Sequence, residues 1–271
     1  MIKKNKLLLT AFSSALMLLV LSSSLVSAPA VIGTLYCCTT TAGITIDGVL
    51  KPTEWIDGKP LGVTLFDLSN QANKLDIEIM TVLDRDNQIY FGVTIPDSFI
   101  DGEEYFYIVF DDAEGTPIVA DPSPEGKFGA YHDLKVMWVH NNHTTDAYTT
   151  GVGFEWKDDI SNSGVENTVG KCFHNGTHLT IEIKTNIHTG DTAGYDFNVA
   201  VNNSINIFLW YHNPSAAADL DFTQIREADG DYDVIKLLIS CTDLSPLPIQ
   251  SVILGILGVT IFTAIYKKKR Q

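Results

Sequence analysis

The chain has 271 residues, a formal net charge of -15 and four cysteines. Seven of its 18 cations lie at the two ends, at residues 3–6 and 267–270, so removing them from the total of -15 leaves -22 on residues 7–266. A surface this acidic repels nucleic acid and anionic lipid, which argues against nucleic acid as a partner. The middle of the chain is long enough to bury a core as one domain of about 200 residues.

The first 30 residues have the three parts of a secretory signal. Met1–Lys6 is basic, Leu7–Val26 is apolar, and the small-x-small patterns Val26-Ser27-Ala28 and Ala28-Pro29-Ala30 come after them. This arrangement predicts a signal sequence over residues 1–30. Because the apolar run is long, an uncleaved signal anchor is the alternative, and either form predicts that the middle of the chain is exported.

A second apolar segment lies close to the C-terminus. Leu247–Tyr266 contains 20 residues without a charge, enough at about 1.5 Å per residue to cross a hydrocarbon core of roughly 30 Å. The cations at 267–270 come directly after it, and cytoplasmic flanks of membrane helices are rich in Lys and Arg. We therefore predict a single-pass protein of the cell membrane with an extracytoplasmic domain and a cytoplasmic C-terminus. Its predicted parts are a signal sequence at 1–30, an N-terminal segment at 31–42, a folded domain at 43–242, a linker at 243–246, a transmembrane helix at 247–266 and a basic tail at 267–271.

Three N-glycosylation sequons agree with export. They begin at Asn142, Asn175 and Asn202, all inside the predicted extracytoplasmic domain and in stretches typical of turns. The sequence therefore predicts a glycoprotein.

The four cysteines match no zinc or redox spacing. Cys172 begins one strand-like run and Cys241 ends another. In an oxidising compartment these two either pair as a disulfide or remain buried thiols. The pattern assigns no state to Cys37 and Cys38, which lie just after the predicted signal.

Between the two ends, short runs of alternating apolar residues are separated by turn residues, and no window has a helical period. Asp84–Asn87 predicts a hairpin turn, and Asn175-Gly176 predicts a type I′ turn. Many strands with hairpin turns predict an all-β sandwich. The predicted strands are Ile44–Ile46, Leu61–Leu65, Leu75–Leu83, Gln88–Pro96, Tyr105–Phe110, Asp133–His140, Gly151–Trp156, Leu179–Lys184, Asp196–Val201, Ile205–Tyr211 and Asp233–Ser240.

The order of motifs over residues 44–115 resembles a known family. Ile44–Leu50 leads into Glu54-Trp55, Asp84–Asn87 precedes Gln88–Val93, and Tyr105–Asp112 is a strand that ends in paired acids. This order is similar to that of the family 9 carbohydrate-binding modules and of the related DOMON-like haem-binding domains of the ethylbenzene-dehydrogenase type. The resemblance implies an immunoglobulin-like or jelly-roll β-sandwich that acts as a non-catalytic module binding a glycan or surface polysaccharide.

Sugar binding requires exposed rings with polar groups beside them. Trp138 shares a strand face with Leu134 and Val136, so it is expected in the core. The candidate ligand-binding residues are Trp156, Trp210, Tyr211, His212 and Asn213.

Haem binding is the alternative that the resemblance implies. Haem-binding domains of this group use a Met and, about a hundred residues later, a His or Lys, which Met80 with His178 or Lys184 would match. The haem would be non-covalent haem b, because the chain has no Cys-x-x-Cys-His. A third hypothesis is a structural or adhesion protein of the cell surface.

Acidic turns suit calcium, whose ligands are oxygen atoms. The candidate calcium ligands are Asp111, Asp112, Glu114 and Asp121, and 229–233 is a second acidic turn. Neither turn has the spacing of an EF-hand. No Gly-x-Ser-x-Gly, His-Glu-x-x-His or phosphate-binding loop is present, so we expect no catalysis.

Overall fold

The computed structural model describes residues 29–97, 103–112, 116–121, 127–188, 195–215, 218–225 and 232–240. The predicted linker, transmembrane helix and basic tail lie outside these residues, as does the predicted signal sequence up to residue 28, and these assignments stay predictions. Across the described ranges, no helix is long and apolar enough to cross a membrane.

The described residues form fifteen strands and one short 3-10 helix, Asp159–Asn162, which confirms the prediction of an all-β fold. In chain order the strands are β1 (Ala30–Thr39), β2 (Leu61–Asp67), β3 (Lys74–Leu83), β4 (Gln88–Pro96), β5 (Tyr105–Phe110), β6 (Val119–Asp121), β7 (Lys127–Phe128), β8 (Ala130–Trp138), β9 (His143–Thr150), β10 (Trp156–Asp158), β11 (Val169–His174), β12 (His178–Asn186), β13 (Ser204–Ser215), β14 (Ala218–Thr223) and β15 (Asp233–Leu238).

The strands form two layers that share one core. One layer has the order β10-β9-β8-β5-β13, and the other has the order β2-β3-β4-β12-β11. β14 joins the layers, because it pairs with β13 and with β2. β1 also joins them: its first part pairs in parallel with β15, and its residues Cys37–Thr39 pair in parallel with β3. The result is a sandwich that is closed along this side like a barrel.

Strand alternation in β5 separates two clusters of buried side chains. Phe106, Ile108 and Phe110 point into the core between the layers, where the ring of Phe110 stacks on Phe197 at 4.1 Å between centroids. The alternate side chains of β5 point to the outer face of their layer. There the short β6–β7 hairpin and the loop before β10 pack against a second, largely aromatic cluster, in which Tyr105, Trp138 and Trp156 stay partly exposed.

Strand β1 corrects the predicted domain boundary. The segment 31–42 was expected to lie outside the folded domain, but β1 is part of the sandwich, with Leu35 and Cys37 fully buried in the core. Cys38 is buried as well. The pairing partners of β1 are a distant strand and the end of β3, so no local turn signal marks it.

Three predicted strands are absent from the described structure. Ile44–Ile46 is a loop, Asp196–Val201 makes only an isolated bridge, and Gly151–Trp156 contains a turn with Gly151 and Gly153 at positive φ. Positive φ breaks a strand and favours glycine. The chain instead forms β9 just before this turn and the short β10 after it.

Both predicted hairpins are present, and one turn type was wrong. The β3–β4 turn places Asn87 at φ 59°, as a tight turn requires. In the β11–β12 hairpin, four residues separate the paired His174 and Leu179, and within Asn175-Gly176 only the glycine has positive φ. A two-residue type I′ turn is therefore excluded. The Asn175 Oδ1 instead accepts the backbone N–H of Thr177 at 3.0 Å.

The predicted disulfide lies partly outside the described residues, since Cys241 does. Cys172 is buried, and its thiol donates a hydrogen bond to the Val139 carbonyl at 3.4 Å. Burial raises the pKa of this thiol to about 11. The bridge between the two cysteines stays a prediction.

The motif that carries the family resemblance is anchored by one buried carboxylate. The Glu182 side chain accepts hydrogen bonds from the backbone N–H of Asp47 at 2.9 Å and of Gly48 at 2.8 Å, and from Trp55 Nε1 at 2.9 Å. Gly48 has φ 84°, and a Cβ there would lie 2.4 Å from the Cys172 carbonyl carbon. The loop 47–55 is thereby held against the outer face of the β3-β4-β12 layer.

Gly92 makes room for this loop. A Cβ at Gly92 would lie 2.8 Å from Leu50 Cδ2 and 3.0 Å from the Trp55 ring. Gly92→Ala should therefore lower the free energy of unfolding by about 1–3 kcal/mol, the usual cost of overpacking. Urea unfolding measures this loss. Gly62→Ala is the matched control on β2, where a Cβ meets nothing within 4 Å, and equal stabilities of the two variants would contradict this packing.

Candidate functional site

Three rings form one row across the outer face of the layer that contains β5, β8 and β13. In the strand register Trp138 lies beside Tyr105, and Tyr105 lies beside His212. The Tyr105 ring stacks on His212 at 4.3 Å between centroids and meets Trp138 edge-on at 5.4 Å. All three side chains are partly exposed. We call Trp138, Tyr105 and His212 the aromatic row.

Buried groups below the row hold its rings in place. Tyr107 stacks on Tyr105 at 4.7 Å, and Trp156 Nε1 donates to the Tyr107 hydroxyl at 3.0 Å. Burial raises the pKa of Tyr107, so its hydroxyl stays protonated. The Trp156 ring lies 5.9 Å from Trp138 and extends the row toward β10. The rings are thus oriented before any ligand arrives.

Polar groups stand at both ends of the row. At one end Asp221 Oδ1 lies 2.9 Å from His212 Nδ1 and accepts Trp210 Nε1 at 2.8 Å, and its side chain is one-third exposed. At the other end the exposed His143 pairs with Trp138 in the register. Trp138 stands at 71° to Tyr105, and the Tyr105 ring is stacked between His212 and Tyr107, so the row combines ring faces with ring edges. Rings between hydrogen-bonding groups are suited to a ligand with apolar faces and polar edges.

The structure separates the five predicted ligand-binding residues. Trp156 and His212 adjoin or belong to the row, but Trp210 is 5% exposed beneath it. Tyr211 is 1% exposed in the core, and Asn213 lies on the same side of β13 as Tyr211. Successive residues of a strand point to opposite faces, so these neighbours in sequence cannot line one surface.

Trp138 corrects a second expectation. It does share a face with Leu134 and Val136, which are fully buried. However, it is the last residue of β8, where nothing in the described structure covers that face completely, and it remains partly exposed. The rings of the row come from three strands that are distant in sequence. They could have been recognised as one row only if the pairing of β5 with β8 and β13 had been known.

Tyr211 and Asn213 line a separate cleft of about 410 Å³ at the end of the sandwich. The Tyr211 hydroxyl donates to Asp97 Oδ2 at 2.6 Å, and Asn213 Nδ2 donates to the same oxygen at 3.2 Å. Burial raises the pKa of Tyr211. The other lining residues are Leu75, Pro96, Thr177, Leu220 and Phe222.

The predicted calcium ligands fall partly outside the described residues. Glu114 is not described, and neither is the side chain of Asp121. Asp112 Oδ1 accepts the backbone N–H of Asp133 at 3.0 Å, and burial raises the pKa of Asp112 to about 7. Asp111 lies 3.9 Å from the buried His132 ring. Calcium binding at this turn stays a prediction.

A buried acidic cluster escaped the sequence analysis. It consists of Asp133, Asp146 and Asp196 around the ammonium group of Lys135. The Lys135 Nζ lies 2.9 Å from Asp133 and 3.2 Å from Asp196, and it also contacts Asp146. All four side chains are buried. The sequence could have indicated this cluster through the charged residues that occupy core-facing positions of β8 and β9.

The haem candidates do not fit a haem. Met80, His178 and Lys184 lie on the outer face of the β3-β4-β12 layer, with Met80 in register with Gly92. The rings and side chains of the loop 47–55 cover that face at Gly92. Met80 packs with Trp55, Val82 and Tyr90, and its sulfur would lie 3.1 Å from a Cβ at Gly58, so among the described residues the loop 47–58 occupies the space beside it.

No protein-family model matches the chain, and no curated protein matches it in sequence. Among solved structures, it is similar to a candidate carbohydrate-binding protein from Bacteroides uniformis, with a TM-score of 0.45 and 4% identity. The alignment covers 78% of this chain and 100% of that chain. A likeness this distant is not evidence for a shared function.

Proposed function

We propose that the chain is a non-catalytic module that binds a glycan on the aromatic row. The observation that carries the proposal is the register that aligns Trp138, Tyr105 and His212 on three neighbouring strands. The C–H faces of a pyranose ring pack against aromatic faces, and its hydroxyls need donors and acceptors at the edges. The row offers rings in the middle and Asp221 and His143 at its ends.

The shape and charge of the row favour a particular kind of glycan. The row runs across strands about 4.8 Å apart, so it is a strip rather than a pocket and suits several sugar units of a chain. The chain carries a net charge of -15, which repels acidic polymers. We therefore propose a neutral polysaccharide or glycan as the ligand.

The same proposal includes display at the cell surface. The helix predicted at 247–266 would tether the module to the membrane, with the sandwich outside. Exposure of Asn142, Asn175 and Asn202 on the described structure supports sequon modification in an exported domain. The host's glycosylation machinery decides whether these asparagines carry sugar.

Trp138→Ala should weaken glycan binding by about 2 kcal/mol, roughly 30-fold in Kd, because it removes the largest ring of the row. Isothermal titration of the full-length protein with a glycan selected on an array measures this loss. Circular dichroism should stay unchanged, since Trp138 is partly exposed at a strand end.

Tyr131→Ala is the matched control. Tyr131 is an aromatic residue of the same strand, 51% exposed, and it stacks on Tyr195 rather than on the row. Its replacement should leave the Kd unchanged. Loss of binding in Tyr131→Ala with normal binding in Trp138→Ala would place the site elsewhere and refute the proposed row.

A further inference from the structure

The cleft of about 410 Å³ opens at one end of the sandwich, where β3, β4, β13 and β14 come together. Tyr211 and Asn213 line it from one layer, and Asp97 lines it from the other, directly after β4. Leu75 and Leu220 pack against the core cluster but stay partly exposed, so they give the cleft an apolar wall. We call it the mouth cleft. Cavities of this size at the mouth of a β-barrel are common binding sites for small molecules.

The hydrogen-bond donors among the lining side chains are already used inside the protein. The Tyr211 hydroxyl donates to Asp97 Oδ2 at 2.6 Å. Asn213 Nδ2 donates to the same oxygen at 3.2 Å and to the Tyr211 oxygen at 3.4 Å. The Thr177 hydroxyl donates to Asn175 Oδ1 at 3.1 Å. The other lining side chains are hydrocarbon and bring no donor. The lining therefore offers acceptors to a ligand.

Asn213 Oδ1 is an acceptor that lacks a donor. The atom is buried, and within the described structure it accepts no hydrogen bond. The amide cannot turn over to relieve this, because its nitrogen donates to the Asp97 carboxylate, which only accepts. Buried polar atoms are nearly always paired, so this carbonyl oxygen indicates a ligand that supplies the donor.

We propose that the mouth cleft binds a small organic ammonium ion. Its N–H groups donate to Asn213 Oδ1 and to the Asp97 carboxylate, and its hydrocarbon part packs against Leu75, Leu220 and Phe222. An ammonium group has three donors and no acceptor, which matches a lining that offers acceptors. No Lys or Arg lines the cleft to compete with it, and a chain with a net charge of -15 attracts cations.

The mouth cleft is separate from the aromatic row. Tyr211 and Asn213 alternate with His212 along β13, so they point to the opposite face of the strand. The ammonium site therefore does not rest on glycan binding, and either can fail without the other. Trp138→Ala should accordingly leave the affinity of the mouth cleft for an ammonium ion unchanged.

Titration of the full-length protein with cyclohexylammonium, followed by ligand-observed NMR, tests the proposal. Cyclohexanol is the matched neutral probe, because it has the same ring and a single hydroxyl donor. Cyclohexylammonium should bind at least about tenfold more tightly than cyclohexanol, since hydrogen bonds between charged groups are the stronger ones. Absence of cyclohexylammonium binding, or equal binding of the two probes, would overturn the proposal.

Asp97→Asn should raise the Kd for cyclohexylammonium roughly tenfold or more, because it removes the charge that the ammonium group faces. Asp86→Asn is the matched control. It makes the same change in net charge at an exposed position just before β4, at the opposite end of that strand. Its Kd should equal that of the wild-type protein, and equal Kd values for the two variants would contradict the site.

Leu220→Trp keeps Asp97 and Asn213 but fills the space between the cleft walls, so it tests the site without touching the polar groups. It decides the matter if Asp97→Asn does not fold. Cyclohexylammonium should no longer bind to Leu220→Trp, while binding of the selected glycan should persist. Wild-type affinity for cyclohexylammonium in a folded Leu220→Trp variant would place the ammonium ion outside the mouth cleft and refute the proposal.

Discussion

Replacing Lys135 by Met should lower the free energy of unfolding by about 3–5 kcal/mol. The Lys135 ammonium group forms ion pairs with the carboxylates of Asp133, Asp146 and Asp196. Methionine keeps much of the stem but leaves three buried carboxylates facing one another. Chemical denaturation of the full-length protein at neutral pH measures the change.

Lys157→Met is the control for the loss of a positive charge. Lys157 is exposed on β10, so its replacement should change stability by no more than about 0.5 kcal/mol. Adding Asp196→Asn to Lys135→Met should restore part of the loss, because it removes one of the repelling charges. Equal stabilities of the two lysine variants would show that the ammonium group does not compensate the cluster.

Glu182→Ala should lower the free energy of unfolding by about 3–4 kcal/mol. Three hydrogen bonds to a buried charged acceptor are lost together, each worth about 1.5–3 kcal/mol, and the loop can relax in part. Their donors are the backbone N–H groups of Asp47 and Gly48 and the Trp55 indole. The fluorescence emission of Trp55 should shift to longer wavelength as the loop detaches. This shift distinguishes detachment of the loop from a loss of packing throughout the sandwich.

Glu78→Ala provides the comparison for Glu182→Ala. Glu78 is on the same outer face, two residues from Met80, but it is exposed. Its loss should change neither stability nor emission. If Glu182→Ala behaves like Glu78→Ala, the carboxylate does not hold the motif in place.

The sequence predicted strands best where one face is apolar and the neighbours are local. β4 and β5 have the predicted bounds, since Gln88–Pro96 and Tyr105–Phe110 are dense in β-branched and aromatic residues. β9 was missed because its buried positions hold Thr144, Asp146 and Tyr148 rather than aliphatic side chains. A strand whose inward side chains are polar has no hydrophobic period to detect.

The candidate site was harder to predict than the strands. β13 is buried on both faces, so the apolar pattern around Trp210 and Tyr211 does not tell which residue points outward. The row depends on Tyr105 and Trp138 meeting across strands, and only the pairing brings them together. The acidic cluster likewise joins residues that are 63 positions apart in sequence, from Asp133 to Asp196.

Hydroxyl-radical footprinting with and without bound glycan tests the proposed function most directly, because mass spectrometry then reports the exposure of each ring. Bound glycan should protect Trp138, Tyr105 and Trp156 from oxidation and leave Tyr131, which is 51% exposed, unchanged. Protection of Tyr131 and Tyr195 instead, or of no ring in the row at saturating glycan, would contradict glycan binding on the aromatic row.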